Sequence, residues 1–350
     1  MRLWVDLLTP KQILFFGPLI TEMQVKGHDV FATSRSYREV EQLAKMRRLE
    51  VEFVGARGGK EPLDQLGASL ERMRALLPRV AEFRPDAALS VASADCARIA
   101  FGLRTRHIAV NDSPHSIIAG KLALPLSNHL LCPWVVPYSA WYKFGLRRQE
   151  ITRYKALDPA VWLKREKVGA ATGGKPPSKP TILVRLEEAY APYMLGTDES
   201  WPSKVLERLA SRFGDCRLIA LCRYDDQLQK VKRRFGRSFE VPDKVVDGAE
   251  EIRRSDVFMG MGGTMTTEAA LLGVPTISAY QGSGLYTERY LLSKKLLLKT
   301  RSLETLTRYV EKALTPEYRE HCAVTSRKLL DSMEDPVQRV VEYLTGQHTS

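Results

Sequence analysis

Short apolar runs of strand length alternate with amphipathic segments of helix length almost from one end of the 350-residue chain to the other. That alternation admits few folds. Strands separated by helix-length crossovers belong to parallel sheets, so the chain reads as α/β, built from stacked βαβ units. Strands are expected at 2–7, 29–33, 51–54, 87–91, 107–110 and 129–132, then at 181–185, 217–221, 257–259 and 276–278. Helices fit between them at 13–26, 37–47, 63–83, 94–103 and 116–124, then at 203–212, 226–235, 264–272 and 288–293. Three last helices, 303–314, 316–332 and 336–344, have no strands between them.

The two series are separated by residues 167–178, KVGAATGGKPPS, a run of breakers without periodicity. The expected organisation is therefore a first Rossmann-like domain at 1–165, a linker at 166–179, a second such domain at 180–335, and a final helix at 336–350 that packs back on the first domain. Paired doubly wound domains bind ligands at the carboxyl ends of their strands, in the cleft between them, so function is expected on the βα loops.

Composition excludes several alternatives. An apolar share of 44% with 27% charged residues is that of a folded globular chain. Five scattered cysteines form no C-x-x-C pair and no metal-ligand spacing, so neither a disulfide framework nor a metal site is expected, and a reducing cytoplasm fits. Asp6 stands where a signal peptide would carry its apolar run. Residues 117–137 are long enough to span a membrane but hold three prolines, Asn128 and His129, which lipid would leave unsatisfied.

The net charge of +12 is uneven: residues 1–165 hold 25 Lys/Arg against 16 Asp/Glu, and residues 166–350 hold 28 against 25. Within the first domain, residues 95–165 carry 11 basic and 4 acidic side chains among several Trp and Tyr. Such a face suits nucleic acid, anionic lipid or a phosphorylated small molecule. No recognised nucleic-acid motif accompanies it.

The strongest local signal is residues 259–277, MGMGGTMTTEAALLGVPTI, a strand, a glycine turn, a helix and a Gly-x-Pro entry to another strand. Glycines let backbone amides approach a ligand, Thr264 is placed to cap the helix, and the helix start seats phosphate oxygens. Glu268, one turn inside, suits a pair of ribose hydroxyls. The pattern points to a nucleotide-diphosphate site formed by Gly262, Gly263, Thr264 and Glu268, although it matches neither the dinucleotide fingerprint nor a P-loop. Arg185 and Arg223 each follow a strand of the same domain, positioned to clamp diphosphate oxygens. Asp247 precedes the glycine-block strand by one short helix.

Several blocks together identify a family resemblance: residues 4–10 (WVDLLTP), 15–20 (FFGPLI), 26–30 (KGHDV), 100–103 (AFGL), 111–115 (NDSPH), 121–126 (KLALPL), 241–248 (VPDKVVDG) and the glycine block. The chain resembles the chiefly archaeal family called domain of unknown function 354 and, through it, the superfamily of GT-B glycosyltransferases and UDP-N-acetylglucosamine 2-epimerases. The resemblance implies a GT-B-like fold, a UDP-sugar or similar donor on the second domain, Glu268 on the ribose, and an acceptor entering through the first domain. The nucleotide sugar is then substrate, and no separate cofactor is expected. One departure is evident. Relatives carry a His in the first βα loop where this chain has Gln12, and an amide cannot act as a base. Replacement groups are Asp6, at the end of the first strand, and Asp112 with His115 beyond the fifth.

Three functions are compatible with these residues. A glycosyltransferase would move sugar to a hydroxyl, and the basic, Trp-rich first domain suits a lipid-linked acceptor at the inner membrane face. A 2-epimerase would share the donor site but needs paired acids, for which Asp6, Asp95 and Asp112 are candidates without a distinctive spacing. The third is a non-catalytic nucleotide-sugar or nucleic-acid binder.

Overall fold

The computed structural model describes every residue except 60, 166–178, 187–197, 199, 244–245, 283 and 347–350. All of the expected linker but Lys179 therefore lies outside the described residues. The chain divides into two compact units, Met1–Trp162 with Glu334–Ser350, and Leu163–Met333.

In chain order the first unit runs β1 (Arg2–Leu7), α1 (Pro10–Val25), β2 (Asp29–Ser36), α2 (Arg38–Met46), β3 (Glu52–Ala56), α3 (Pro62–Phe83), β4 (Ala87–Ser90), α4 (Ala94–Gly102), β5 (Arg106–Val110), α5 (Ile117–Ala123), β6 (His129–Pro133), α6 (Ser139–Tyr142) and β7 (Ile151–Tyr154). A short helix, α7 (Ala160–Leu163), follows at the boundary. The seven strands form a wholly parallel sheet of order β3-β2-β1-β4-β5-β6-β7. Because helices cover both faces of such a sheet, its central strands are apolar throughout: Leu3, Trp4 and Val5 are wholly buried. Trp4 packs with Leu76 and Val80 of α3 and with Cys96 and Ala100 of α4. Pro62 opens α3 where a missing N–H costs nothing, and Ser93 caps α4 by accepting from the Cys96 N–H at 3.2 Å.

The second unit runs β8 (Thr181–Arg185), α8 (Trp201–Arg212), β9 (Arg217–Leu221), α9 (Asp225–Phe235), α10 (Gly248–Arg253), β10 (Val257–Gly260), α11 (Thr264–Leu271), β11 (Thr276–Ser278), α12 (Tyr286–Ser293), β12 (Leu297–Lys299), α13 (Leu303–Ala313) and α14 (Pro316–Asp331). Its sheet is also parallel, of order β12-β11-β10-β8-β9. The last helix, α15 (Pro336–Thr345), packs on α1 of the first unit. Gln338 there donates to both oxygens of Glu22 at 2.8 and 3.0 Å, and Tyr343 stacks on His129 with ring centroids 4.2 Å apart. Among the described residues no helix is long and apolar enough to cross a membrane.

Two strands escape the sequence reading, β7 and β12, and both are edge strands. In β7 only the end residues, Ile151 and Tyr154, are buried, with Thr152 and Arg153 half-buried between them, so it lacks the continuous apolar run of a central strand. The three residues of β12 continue a leucine-rich stretch that reads as helix.

Two buried histidines give the first unit an acid sensitivity. Each ring nitrogen of His107 lies 2.9 Å from a serine hydroxyl, of Ser90 and of Ser127, inside a shell that excludes water. Burial lowers its pKa from 6.5 to about 4, the charge of Asp6 opposing only in part. His129 is lowered to about 4 by burial and then by Arg106. The unfolded chain binds these protons first, so stability is full above pH ~7 and falls as the pH drops toward the folded-state values. Acidification from about pH 7.5 to 4.5 is expected to cost roughly 2–3 kcal/mol through His107 alone. Urea unfolding of parent and His107→Asn at both pH values measures this, and equal pH dependence in the two proteins would exonerate the residue.

Candidate functional site

In the second unit the chain leaves β8 to β9 on one side and later returns to β10 on the other, so the winding reverses between β8 and β10. Open parallel sheets bind ligands just outside the strand ends at such a reversal. Two sequence-identified features end there side by side. Gly260, last in β10, is in register with Arg185, last in β8, and the Met261 N–H donates to the Arg185 carbonyl at 3.1 Å.

The glycines of this turn have different tasks. A Cβ on Gly260 would lie 2.0 Å from Thr266 Oγ1, so this glycine lets α11 close onto the strand. Gly262, at φ 106°, passes beneath the Tyr280 ring, 3.2 Å from where a Cβ would stand. Gly263, at φ 91° and ψ 176°, holds a conformation open essentially to glycine alone, and among the described residues nothing lies within 4 Å of its missing Cβ. The position of the cap differs from expectation. Gly263 is the N-cap and Thr264 the first helical residue, because the left-handed turn extends one residue further, and no side chain caps α11. Its leading amides and the positive end of its dipole thus face outward behind a residue without a side chain.

Glu268 lies four residues beyond Thr264 on the same helix face and is 3% exposed. Arg185 sends Nη1 to the Cys222 carbonyl at 3.3 Å, which brings it to the loop that holds Arg223. The Arg223 N–H donates to Gln227 Oε1 at 2.8 Å at the head of α9. Asp247 caps α10, accepting from the Ala249 and Glu250 amides at 3.1 and 3.2 Å. Its neighbour Gly248 rests against Met265, so this cap sits at the first turn of α11. The structure therefore gathers Arg185, Gly262, Gly263, Thr264 and Asp247 around one strand edge, with Arg223 on the adjoining loop.

Sequence reasoning missed a further group on this edge. The Ser278 hydroxyl and the Lys299 ammonium donate to the two oxygens of buried Glu288, each at 2.6 Å, and Lys299 lies over the Tyr280 ring at 5.1 Å. These residues come from consecutive βα connections, so no local spacing announces them.

In the first unit the predicted carboxylates separate. Asp6 is wholly buried at the β1/β4 reversal. Arg72 Nη2 reaches it at 2.5 Å, the Ser93 hydroxyl at 2.6 Å and the Thr33 hydroxyl at 2.8 Å. Arg72 also pairs with Asp95 at 2.9 Å, and although burial alone would weaken its hold on a proton, the two carboxylates raise its pKa above the ordinary value. Asp6 is thus engaged in internal ion pairing.

Asp112 has a different setting. Lys11, on the first turn of α1, places Nζ 2.7 Å from Asp112 and 2.7 Å from Asp158, and Tyr154 donates to Asp158 at 2.6 Å. Burial would raise both carboxyls. Lys11 nonetheless holds Asp112 below its ordinary pKa, while Asp158, more enclosed and facing Asp112, stays above its own. His115 lies three residues on, half-buried, and its charge contributes to the lowering at Asp112. Gln12 is turned inward, accepting from the Leu8 N–H at 2.6 Å, so it shapes the β1–α1 turn. Among the described residues no group of His, Cys, Asp or Glu is arranged to hold a metal.

Two parallel sheets of these orders, flanked by helices and followed by a helical C-terminus, define the GT-B class of fold. The family described as Protein of unknown function (DUF354) matches residues 1–345, and the chain belongs to it. An uncharacterized protein of Methanocaldococcus jannaschii is 26% identical over 97% of this chain and 98% of its own length. The fold is that of UDP-GlcNAc 2-epimerase from Neisseria meningitidis, solved bound to UDP-GlcNAc, with TM-score 0.76 and 13% identity over 99% of this chain and 100% of that one. The kitacinnamycin glycosyltransferase is similar at TM-score 0.66 and 16% identity, over 99% of this chain and 98% of its own.

The two glycines can be separated by experiment. Gly260→Ala drives a methyl into Thr266 and is expected to lower the unfolding free energy by about 2 kcal/mol or more, as overpacking does. Gly263→Ala meets open space and is expected to cost about 1–3 kcal/mol of backbone strain. Thermal and urea unfolding of both variants check the order, and a larger loss at Gly263 would contradict it.

Proposed function

We propose that this protein binds a nucleotide-diphosphate sugar, most simply a UDP-sugar, on its second unit and transfers the sugar to a hydroxyl acceptor. The observation that carries the reading is the uncapped start of α11 at the β8/β10 reversal, with Arg185 ending the adjacent strand. Amides there, with Arg185 at the end of the neighbouring strand, would match the charge that a leaving diphosphate develops. Glu268, on the same helix face as Thr264, would take the ribose hydroxyls. The acceptor oxygen bonds to the anomeric carbon as the bond to the diphosphate oxygen breaks, and the acceptor proton passes to His115, whose imidazolium the ionised Asp112 stabilises. The nucleotide sugar enters as substrate, and the five free thiols suit a cytoplasmic setting.

One observation favours a second reading, epimerisation at the sugar's second carbon. Asp112 and Asp158 share Lys11 and have opposite shifts, which is the kind of acid pair that removes a proton on one side and returns it on the other. The similarity to an epimerase solved with UDP-GlcNAc supports this alternative.

A thermal-shift screen of UDP-, GDP-, CMP- and dTDP-sugars is expected to show stabilisation by one base class. Glu268→Ala should then weaken binding by about 1–3 kcal/mol through lost hydrogen bonds, and unchanged affinity would remove it from the site. His115→Ala should keep affinity and abolish turnover, and full activity would dismiss it as the base. Incubation with UDP-GlcNAc alone decides between readings: UDP-ManNAc marks an epimerase, whereas UDP release accelerated by an acceptor marks a transferase.

A further inference from the structure

From the start of α4 to the turn after α6, residues 94–150, the chain carries seven basic side chains and three acids, Asp95, Asp112 and Glu150, which are bound to Arg72, Lys11 and Arg147. This stretch forms α4, α5 and α6, and it exposes several large apolar side chains. On α5, Ile117, Ile118 and Leu122 are 40%, 55% and 55% exposed. α4 packs along α5 and ends in Phe101, 59% exposed. Gly120 brings α5 against the Phe144 ring, close enough that a Cβ would lie 2.5 Å from it, and exposed Tyr142 and Lys143 precede that ring. Exposed Lys121 belongs to α5, between Ile118 and Leu122 in sequence, and exposed Lys143 and Arg148 follow α6.

We infer that this α4–α5–α6 face docks on an anionic lipid surface. Exposed isoleucine and leucine on a stretch of net positive charge fit the two-layered chemistry of a bilayer interface: apolar groups enter the acyl boundary while ammonium and guanidinium groups meet phosphate. Each carboxylate of the stretch is held by a cation of the protein itself, so its net charge is positive, and an interface with a second copy of the same chain would bring like charges together. The site side of the argument is local to the first unit. Ser116 separates His115 from Ile117, so a hydroxyl carried on a lipid would be delivered at the β5–α5 loop. The docking itself does not depend on the nucleotide-sugar reading.

Flotation of the full chain with phosphatidylcholine vesicles, with and without about a third phosphatidylglycerol, tests the inference. At low salt the protein is expected to bind the anionic vesicles at least tenfold better than the neutral ones, and 0.5 M NaCl should release most of it. Ile118→Glu with Leu122→Glu should abolish binding, and Lys121→Glu should weaken it several-fold. Circular dichroism and nucleotide-sugar affinity, both unchanged, show that the variants are folded and that the donor site stands independently. Equal binding to neutral and anionic vesicles, no binding to either, or full binding by the double variant would overturn it. So would a wild-type dimer that Ile118→Glu with Leu122→Glu dissociates, since a second copy would then cover the face.

Discussion

A strand paired in parallel with its neighbours cannot hand the chain directly to the next strand, because both must run the same way. Every connection has to cross back over the sheet, and every βα loop therefore leaves at the same edge. Both units obey this constraint throughout, and it determines where chemistry can reside. In the second unit it sets the glycine turn after β10 next to the end of β8. In the first it lines up the loops that hold Lys11, Asp112 and Asp158, residues remote in sequence whose charged groups meet within 2.7 Å.

The two sheets treat their winding reversal in opposite ways. In the first unit the crevice is filled from within. Asp6 is met by Arg72 from α3 and by hydroxyls from β2 and the β4–α4 loop, and a pair so enclosed resists removal of either partner. In the second unit the equivalent edge carries glycine, and among the described residues no atom lies within 4 Å of where a Gly263 Cβ would stand. The asymmetry sets an edge lined by glycine in one unit against a crevice filled by side chains in the other.

The sequence made the fold and the glycine turn legible for physical reasons. Buried parallel strands are uniformly apolar and their crossover helices amphipathic, so the period of the pattern changes wherever the element does. Gly262 and Gly263 are visible because only glycine adopts their backbone conformation. What stayed hidden depends on long-range meeting. A carboxylate at the end of a strand reads alike whether it faces ligand or, like Asp6, an arginine sixty-six residues away. Lys11 has no local sign of its two acid partners, and the Glu288–Lys299 pair depends on which βα loops the sheet order makes adjacent. Edge strand β7 was missed because a strand with one partner need not be apolar along its length, and β12 because its residues continue a leucine-rich stretch.

The glycine at the head of α11 also has a consequence for order. In α4, α10, α13 and α15 a serine or aspartate side chain supplies the capping oxygen. At the head of α11 no side chain among the described residues supplies one, so an anion seated there would also complete the first turn. Occupancy and the tightening of that turn would then be one equilibrium.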